Sequence, residues 1–305
     1  MSSTSSFGAI VRVLVAMLSF QAGASIAKSL IPLIGSPGTT TLRLAISAVI
    51  LCLVQRPWRA VPSRSAVPVM LAYGIALGTM NFVFYLALKT IPLGIAVGLE
   101  FTGPLAVALA GSRRRVDLVW LAFAVAGLLC LVPIRTAGAR LDPAGVGWAL
   151  AAGVCWALYI IYGQKAGRAH GATAATWGLL IAAIVIAPIG VWQAGDALLS
   201  KEILPRGVAI AILSSALPYS LEMTALRKLT ARLYGTLMSL EPALAALAGL
   251  ALLQEHISPL QWVGIAAVMI ASVGALGHEP SPDQGPGPQI QRPVLGPWFF
   301  VLSDA

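Results

Sequence analysis

The chain is 305 residues long, 58% hydrophobic and only 10% charged, with a mean hydropathy of +0.86. An ordinary soluble domain carries about 25% charged residues, so this composition belongs in lipid and leaves no stretch for a soluble domain with a polar shell. The formal charge of +9 raises a nucleic-acid partner, but no aromatic-basic patch supports one, and the placement of the basic residues explains the charge as topology.

A bilayer core of about 30 Å needs roughly 20 helical residues. Ten windows meet or approach this, at about Val11–Ile31, Gly38–Val54, Val67–Leu88, Leu93–Ala110, Leu118–Val132, Gly145–Tyr162, Ala172–Gln193, Leu204–Ala225, Tyr234–Leu253 and Pro259–Gly277. The first is too long for a cleavable leader and runs straight into a second apolar stretch. Runs such as LAFAVAGLLCLV do not alternate as barrel strands do, so the predicted fold is all-α. Short connections carry turn residues, among them Gly35-Ser36-Pro37, Arg56-Pro57 and Asp142-Pro143. The stretch 278–305 is rich in Pro and Gly, and a disordered tail is expected there.

With the N-terminus cytoplasmic, thirteen Lys and Arg fall in cytoplasmic segments, five fall on the other side, and Lys28 and Arg43 lie within spans. Basic residues favour the cytoplasmic face, so both termini are predicted inside.

The chain also repeats itself. A shift of 138 residues lays Pro104–Gly111 (PLAVALAG) on Pro242–Gly249 (PALAALAG) and Ala87-Leu88-Lys89 on Ala225-Leu226-Arg227. At a slightly smaller offset Phe20 meets Trp156 and Lys28 meets Gln164. This predicts two five-helix halves, 1–137 and 138–277. An odd number of spans per half inserts them in opposite orientations, a recurring plan of secondary transporters with a site near the midplane.

Charged groups inside a bilayer cost about 2.5–3.5 kcal/mol each on insertion scales, which singles out Lys28, Arg43, Glu100, Glu222 and Glu241. Gln21, Ser25 and Lys28 form one polar stripe on the first helix, and Thr39, Arg43 and Ser47 form another on the second. Asn81 and Tyr85 stand one turn apart on the third. Tyr219 and Glu222 share a face just after Pro218, and Trp156 lies where an aromatic can line a cavity. Cationic and acidic groups together suit an amino acid's carboxylate and ammonium. Gln21, Ser25, Lys28, Arg43, Asn81, Tyr85, Glu100, Trp156, Tyr219 and Glu222 are the candidate substrate-binding residues. Three acids against two bases leave one carboxylate uncompensated, so Glu241, or Glu100 if the pairing differs, is the candidate to carry a coupling proton.

Cys52, Cys130 and Cys155 lie in apolar runs without a CxxC pair, and neither a metal site nor a cofactor is expected. Gly74, Gly78, Gly94 and Gly98 form small-xxx-small patterns that suit close helix packing.

The runs GASIAKSLIPLIGSPG, TLRLA, MNFVFYLAL, IPLGIAVGLEFTGPLAVALAGSRR, VDLVW, LPYSLEMTAL and GTLMSLEPALAAL lie between Gly23 and Leu247 and carry a resemblance that covers residues 13 to 277. Through them the chain resembles the drug/metabolite transporter superfamily with paired EamA-type halves, within it the threonine and homoserine exporters. The resemblance implies an exporter of small neutral amino acids working by exchange with protons. Export of another metabolite and a non-transporting receptor or assembly role are the alternatives. No HExxH, GxSxG, phosphate loop or intramembrane His supports an enzyme. The sequence neither requires nor excludes a homo-oligomer.

Overall fold

The computed structural model describes residues 3–59, 61–110, 117–131, 141–170, 173–218, 221, 225, 229 and 231–277. Tyr219, Glu222 and the tail 278–305 therefore lie outside the described residues.

Among the described residues the regular structure is helical throughout: α1 Ser3–Gln55, α2 Val67–Leu88, α3 Leu93–Glu100, α4 Thr102–Ala110, α5 Asp117–Leu131, α6 Pro143–His170, α7 Thr173–Ala194, α8 Ile203–Ala211, α9 Ala231–Met238, α10 Glu241–Leu253 and α11 Pro259–Gly277. Five of the described stretches are long and apolar enough to cross a membrane, namely Phe7–Gln55, Val67–Leu88, Pro143–Gly167, Thr173–Leu199 and Thr236–Leu253. Shorter apolar helices accompany them. Proline opens several helices: Pro68, Pro143, Pro242 and Pro259 all sit in first turns, where the missing N–H has no helical partner to lose.

The first two predicted spans form one element. Gly35, between Pro32 and Pro37, takes φ 72° and ψ 166° inside α1, a conformation open to glycine alone. On a straight helix Phe20 and Arg43 would stand roughly 35 Å apart at 1.5 Å per residue. The Arg43 guanidinium instead lies 5.0 Å from the centre of the Phe20 ring. So α1 folds back at Gly35 into a hairpin with arms 3–34 and 36–55.

Three windows expected as single helices are interrupted, and a proline accompanies each. Pro104 cannot donate to the Glu100 carbonyl four residues earlier, and the helix breaks at Phe101 between α3 and α4. Pro242 stands likewise to Met238, and the break falls at Ser239 and Leu240. Before Pro218 the helix widens to π geometry over Ile212–Ala216. Lost i→i−4 bonds of this kind are the usual cause of kinks and π-bulges.

Helix α2 packs on α6 and α7, α1 on α7 and α8, α3 on α10, and α5 on α11. Small residues set the spacing. A Cβ on Gly78 would stand 3.1 Å from the Ala182 Cα, and one on Gly94 would overlap the Ala246 backbone. Gly127 and Gly264 face each other reciprocally, each Cβ position lying within 2.9 Å of the other's carbonyl oxygen. Large apolar side chains such as Leu129, Val154, Ile184 and Val263 point outward, as a lipid-facing surface requires.

Candidate functional site

The breaks and the hairpin converge on one cavity, walled by apolar and aromatic side chains with a few polar groups among them, the usual make-up of small-molecule sites. Phe20 comes from the first arm of α1, Arg43 from the second, and Asn81 from α2. Glu100 is the last residue of α3, Trp156 and Tyr159 project from α6, Ser215 lies in the π segment, and Glu241 opens α10. Both carboxyl groups thus stand at helix interruptions, where proline has already freed backbone polar groups.

Arg43 is 7% exposed. Its Nη1 donates to the Tyr85 hydroxyl at 3.2 Å, and the guanidinium lies 5.0 Å from the Phe20 ring centre and 5.7 Å from that of Tyr85. The ion pairs within 4.0 Å among the described residues are Lys28–Glu255 and Arg206–Glu202. Arg43 therefore has no described carboxylate in direct contact, although Glu100 and Glu241, 8% and 7% exposed, line the same cavity. Glu241 Oε2 has no described hydrogen-bond partner. Ser47, one turn beyond Arg43, shares a hydrogen bond of 2.8 Å with Ser215 and ties the arm to the π segment.

Aromatic rings form much of the remaining wall. Trp156 meets Phe101, at the α3–α4 break, edge to face with centroids 5.6 Å apart. Tyr73 and Tyr159 stack at 5.0 Å, their hydroxyls 3.3 Å apart. The Asn81 amide donates to the Leu77 carbonyl at 2.8 Å, leaving its oxygen and its second N–H to offer to a ligand.

Of the residues expected from sequence, the cavity brings together Arg43, Asn81, Glu100, Trp156 and Glu241. Tyr85 stands behind Arg43 rather than on the lining. Gln21 is fully buried off the lining, with neither amide atom hydrogen-bonded to a described residue, and Ser25 Oγ donates to the Gln21 carbonyl at 2.9 Å. Lys28 also lies off the lining, donating at 2.6 Å to Glu255 and at 2.6 Å to the Ile91 carbonyl. Phe20, Tyr73 and Ser215 were not anticipated, because an aromatic or a serine in an apolar run carries little signal. Glu255 carries no signal of a site in the sequence, because a charge in a connection reads as solvated.

The EamA-like transporter family matches residues 143–277. Threonine/homoserine exporter RhtA of Escherichia coli strain K12 is 53% identical over 266 residues, covering 87% of this chain and 90% of the relative. RhtA of Salmonella typhimurium strain LT2 is 52% identical over the same length. The uncharacterized transporter YwfM of Bacillus subtilis strain 168 is 28% identical over 216 residues, 67% of this chain and 71% of its own. A solved crystal structure 20% identical in sequence superposes with a TM-score of 0.55 over 90% of this chain and 97% of its own, a likeness of fold alone. With these relatives and this helical architecture, the chain is a multi-pass membrane protein that belongs to the EamA-like transporter family, among transporters rather than enzymes.

Proposed function

We propose that the chain exports small neutral amino acids, threonine and homoserine foremost, across a bacterial inner membrane in exchange for protons, by alternating access. The carrying observation is a buried Arg43 without a carboxylate in direct contact, in one cavity with Glu100 and Glu241. A zwitterion completes both sides of that arrangement. Its carboxylate takes the open edge of the guanidinium, its ammonium takes a glutamate, and Asn81 and Trp156 bound the side chain. The cavity lining holds two carboxyl groups and one guanidinium, which leaves one carboxyl group to exchange a proton; we assign that role to Glu241. The names of the relatives at 53% and 52% identity support the choice of threonine and homoserine.

Ten spans in two inverted halves, 1–137 and 138–277, with both termini cytoplasmic, are part of the same proposal. The breaks support it: Phe101 and Ser239 are 138 residues apart, as are Pro104 and Pro242. The reciprocal Gly127–Gly264 contact suits a pseudo-two-fold axis, and the family match over 143–277 falls within the second half. Purified protein in liposomes, offered a panel of amino acids with and without a proton gradient, tests the reading. Threonine and homoserine flux accelerated by the gradient is expected; flux of neither would sink the substrate assignment, and flux indifferent to the gradient would sink the coupling.

A further inference from the structure

The Glu255 carboxylate joins two other segments to its own, away from the cavity. Its Oε1 accepts from Lys28 Nζ at 2.6 Å, and its Oε2 accepts from the backbone N–H of Leu93 at 2.7 Å. Lys28 donates in addition to the Ile91 carbonyl at 2.6 Å. Leu93 is the first residue of α3, so its N–H is one that no helical carbonyl can reach. A carboxylate there also meets the positive end of the helix. The turn that carries Glu255 is shaped for this contact. Gln254 adopts left-handed φ 54° and ψ 34°, and Glu255 N–H returns to the Gly249 carbonyl at 3.0 Å. Gly249 leaves the space for the carboxylate, since a Cβ there would overlap Oε2.

The position of this cluster relative to the cavity gives it meaning. Along α2 the cavity is lined from Tyr73 to Phe84, whereas Ile91 and Leu93 lie beyond the helix's end at Leu88. At the other end Leu51 and Ala175 contribute to the lining, near the end of α1 and the start of α7. The cluster thus ties α1, the α2–α3 connection and the α10–α11 connection together at one end of the bundle. Lys28 and Glu255 are 21% and 11% exposed, so water reaches the bond and can take its place when the segments part.

We infer that Lys28 and Glu255 are gating residues of the transport cycle: their ion pair, locked onto the N-terminus of α3, holds that end of the cavity shut and must break for the substrate to pass. The inference rests on the alternating-access reading above. It gives Lys28 a role in the passage of substrate rather than in holding it. A bond whose two partners lie 227 residues apart in the chain joins segments that such a cycle has to separate.

The test uses the full chain in lipid nanodiscs, with Cys52, Cys130 and Cys155 replaced by Ala and a reporter Leu93→Cys, a site 0% exposed in the closed cluster. The rate of modification by a polar maleimide is read in this background and after adding Lys28→Gln, Glu255→Gln, or both. Each single change is expected to raise the rate about fivefold or more, the range of ordinary conformational coupling. The double change should equal either single one, because both remove one bond. Equal rates in all four proteins, with unfolding temperatures unchanged, would overturn the gate and leave a purely structural contact. If Glu255→Gln does not accumulate, Glu255→Asp, one methylene shorter, replaces it, with faster modification expected and an unchanged rate again overturning the proposal. The readout needs no substrate, so a wrong choice of amino acid and a wrong gate give different results.

Discussion

Arg43 donates to the Tyr85 hydroxyl at 3.2 Å while Phe20 and Tyr85 place their rings within 6 Å of the guanidinium, so one edge of the cation is occupied and its remaining donors are left for a ligand. Such a mount differs from a floating charge. A planar guanidinium stacks and binds a carboxylate with two parallel bonds, which an ammonium cannot do. Replacing Arg43 with Lys is expected to raise the KM for amino-acid exchange roughly tenfold. The check is concentration-dependent uptake of labelled homoserine into proteoliposomes; an unchanged KM would remove Arg43 from the site.

Tyr85→Phe keeps the ring and removes the acceptor. A single hydrogen bond is worth about 0.5–1.5 kcal/mol, so KM is expected to rise a few-fold with the maximal rate preserved. The same kinetic series detects it, and a fall in maximal rate alone would contradict a positioning role.

The two cavity glutamates are expected to part company when neutralised singly. Glu241→Gln should abolish the response of flux to a proton gradient while amino-acid exchange at equal pH continues. Glu100→Gln should weaken binding and keep the gradient response. Measuring exchange and gradient-driven flux for both proteins separates these outcomes; a persisting gradient response in Glu241→Gln would exclude that residue as the proton carrier.

Close packing yields a stability prediction. A Cβ on Gly94 would overlap the Ala246 backbone, while Gly147 has nothing within 4 Å of that position. Gly94→Ala is expected to destabilise by about 1–3 kcal/mol, whereas Gly147→Ala, on an exposed helical position, is expected to stabilise by about 0.5–1 kcal/mol. Thermal unfolding in detergent compares them, and equal midpoints would refute the packing argument.

Some of this was legible in the sequence, and the reasons are physical. The limits of α2 and α11 match the expected Val67–Leu88 and Pro259–Gly277, because each is bounded by turn-forming residues. Arg43, Asn81, Glu100 and Glu241, which line the cavity, could be read as candidates because polar groups in apolar runs are too costly to leave unexplained. The interruption at Phe101 could not, since hydropathy does not fall across it; only Pro104 marked it, and a proline specifies a disturbance without saying whether the helix bends or stops. Glu255 escaped because only the tertiary fold brings a connection onto Lys28. Tyr219 and Glu222 lie outside the described residues.

The hairpin at Gly35 bears on how the protein enters its membrane. An arginine on a helix inserted alone costs about 2.5–3.5 kcal/mol on insertion scales. Here the first arm brings Phe20 to Arg43, so the charge gains an aromatic face once the first 55 residues have been synthesised, before Tyr85 exists. The two arms are therefore suited to enter as a pair, the first arm giving the Arg43 charge its aromatic partner. The guanidinium to which we assign the substrate's carboxylate is sheltered from its first moments in lipid by the neighbour made just before it.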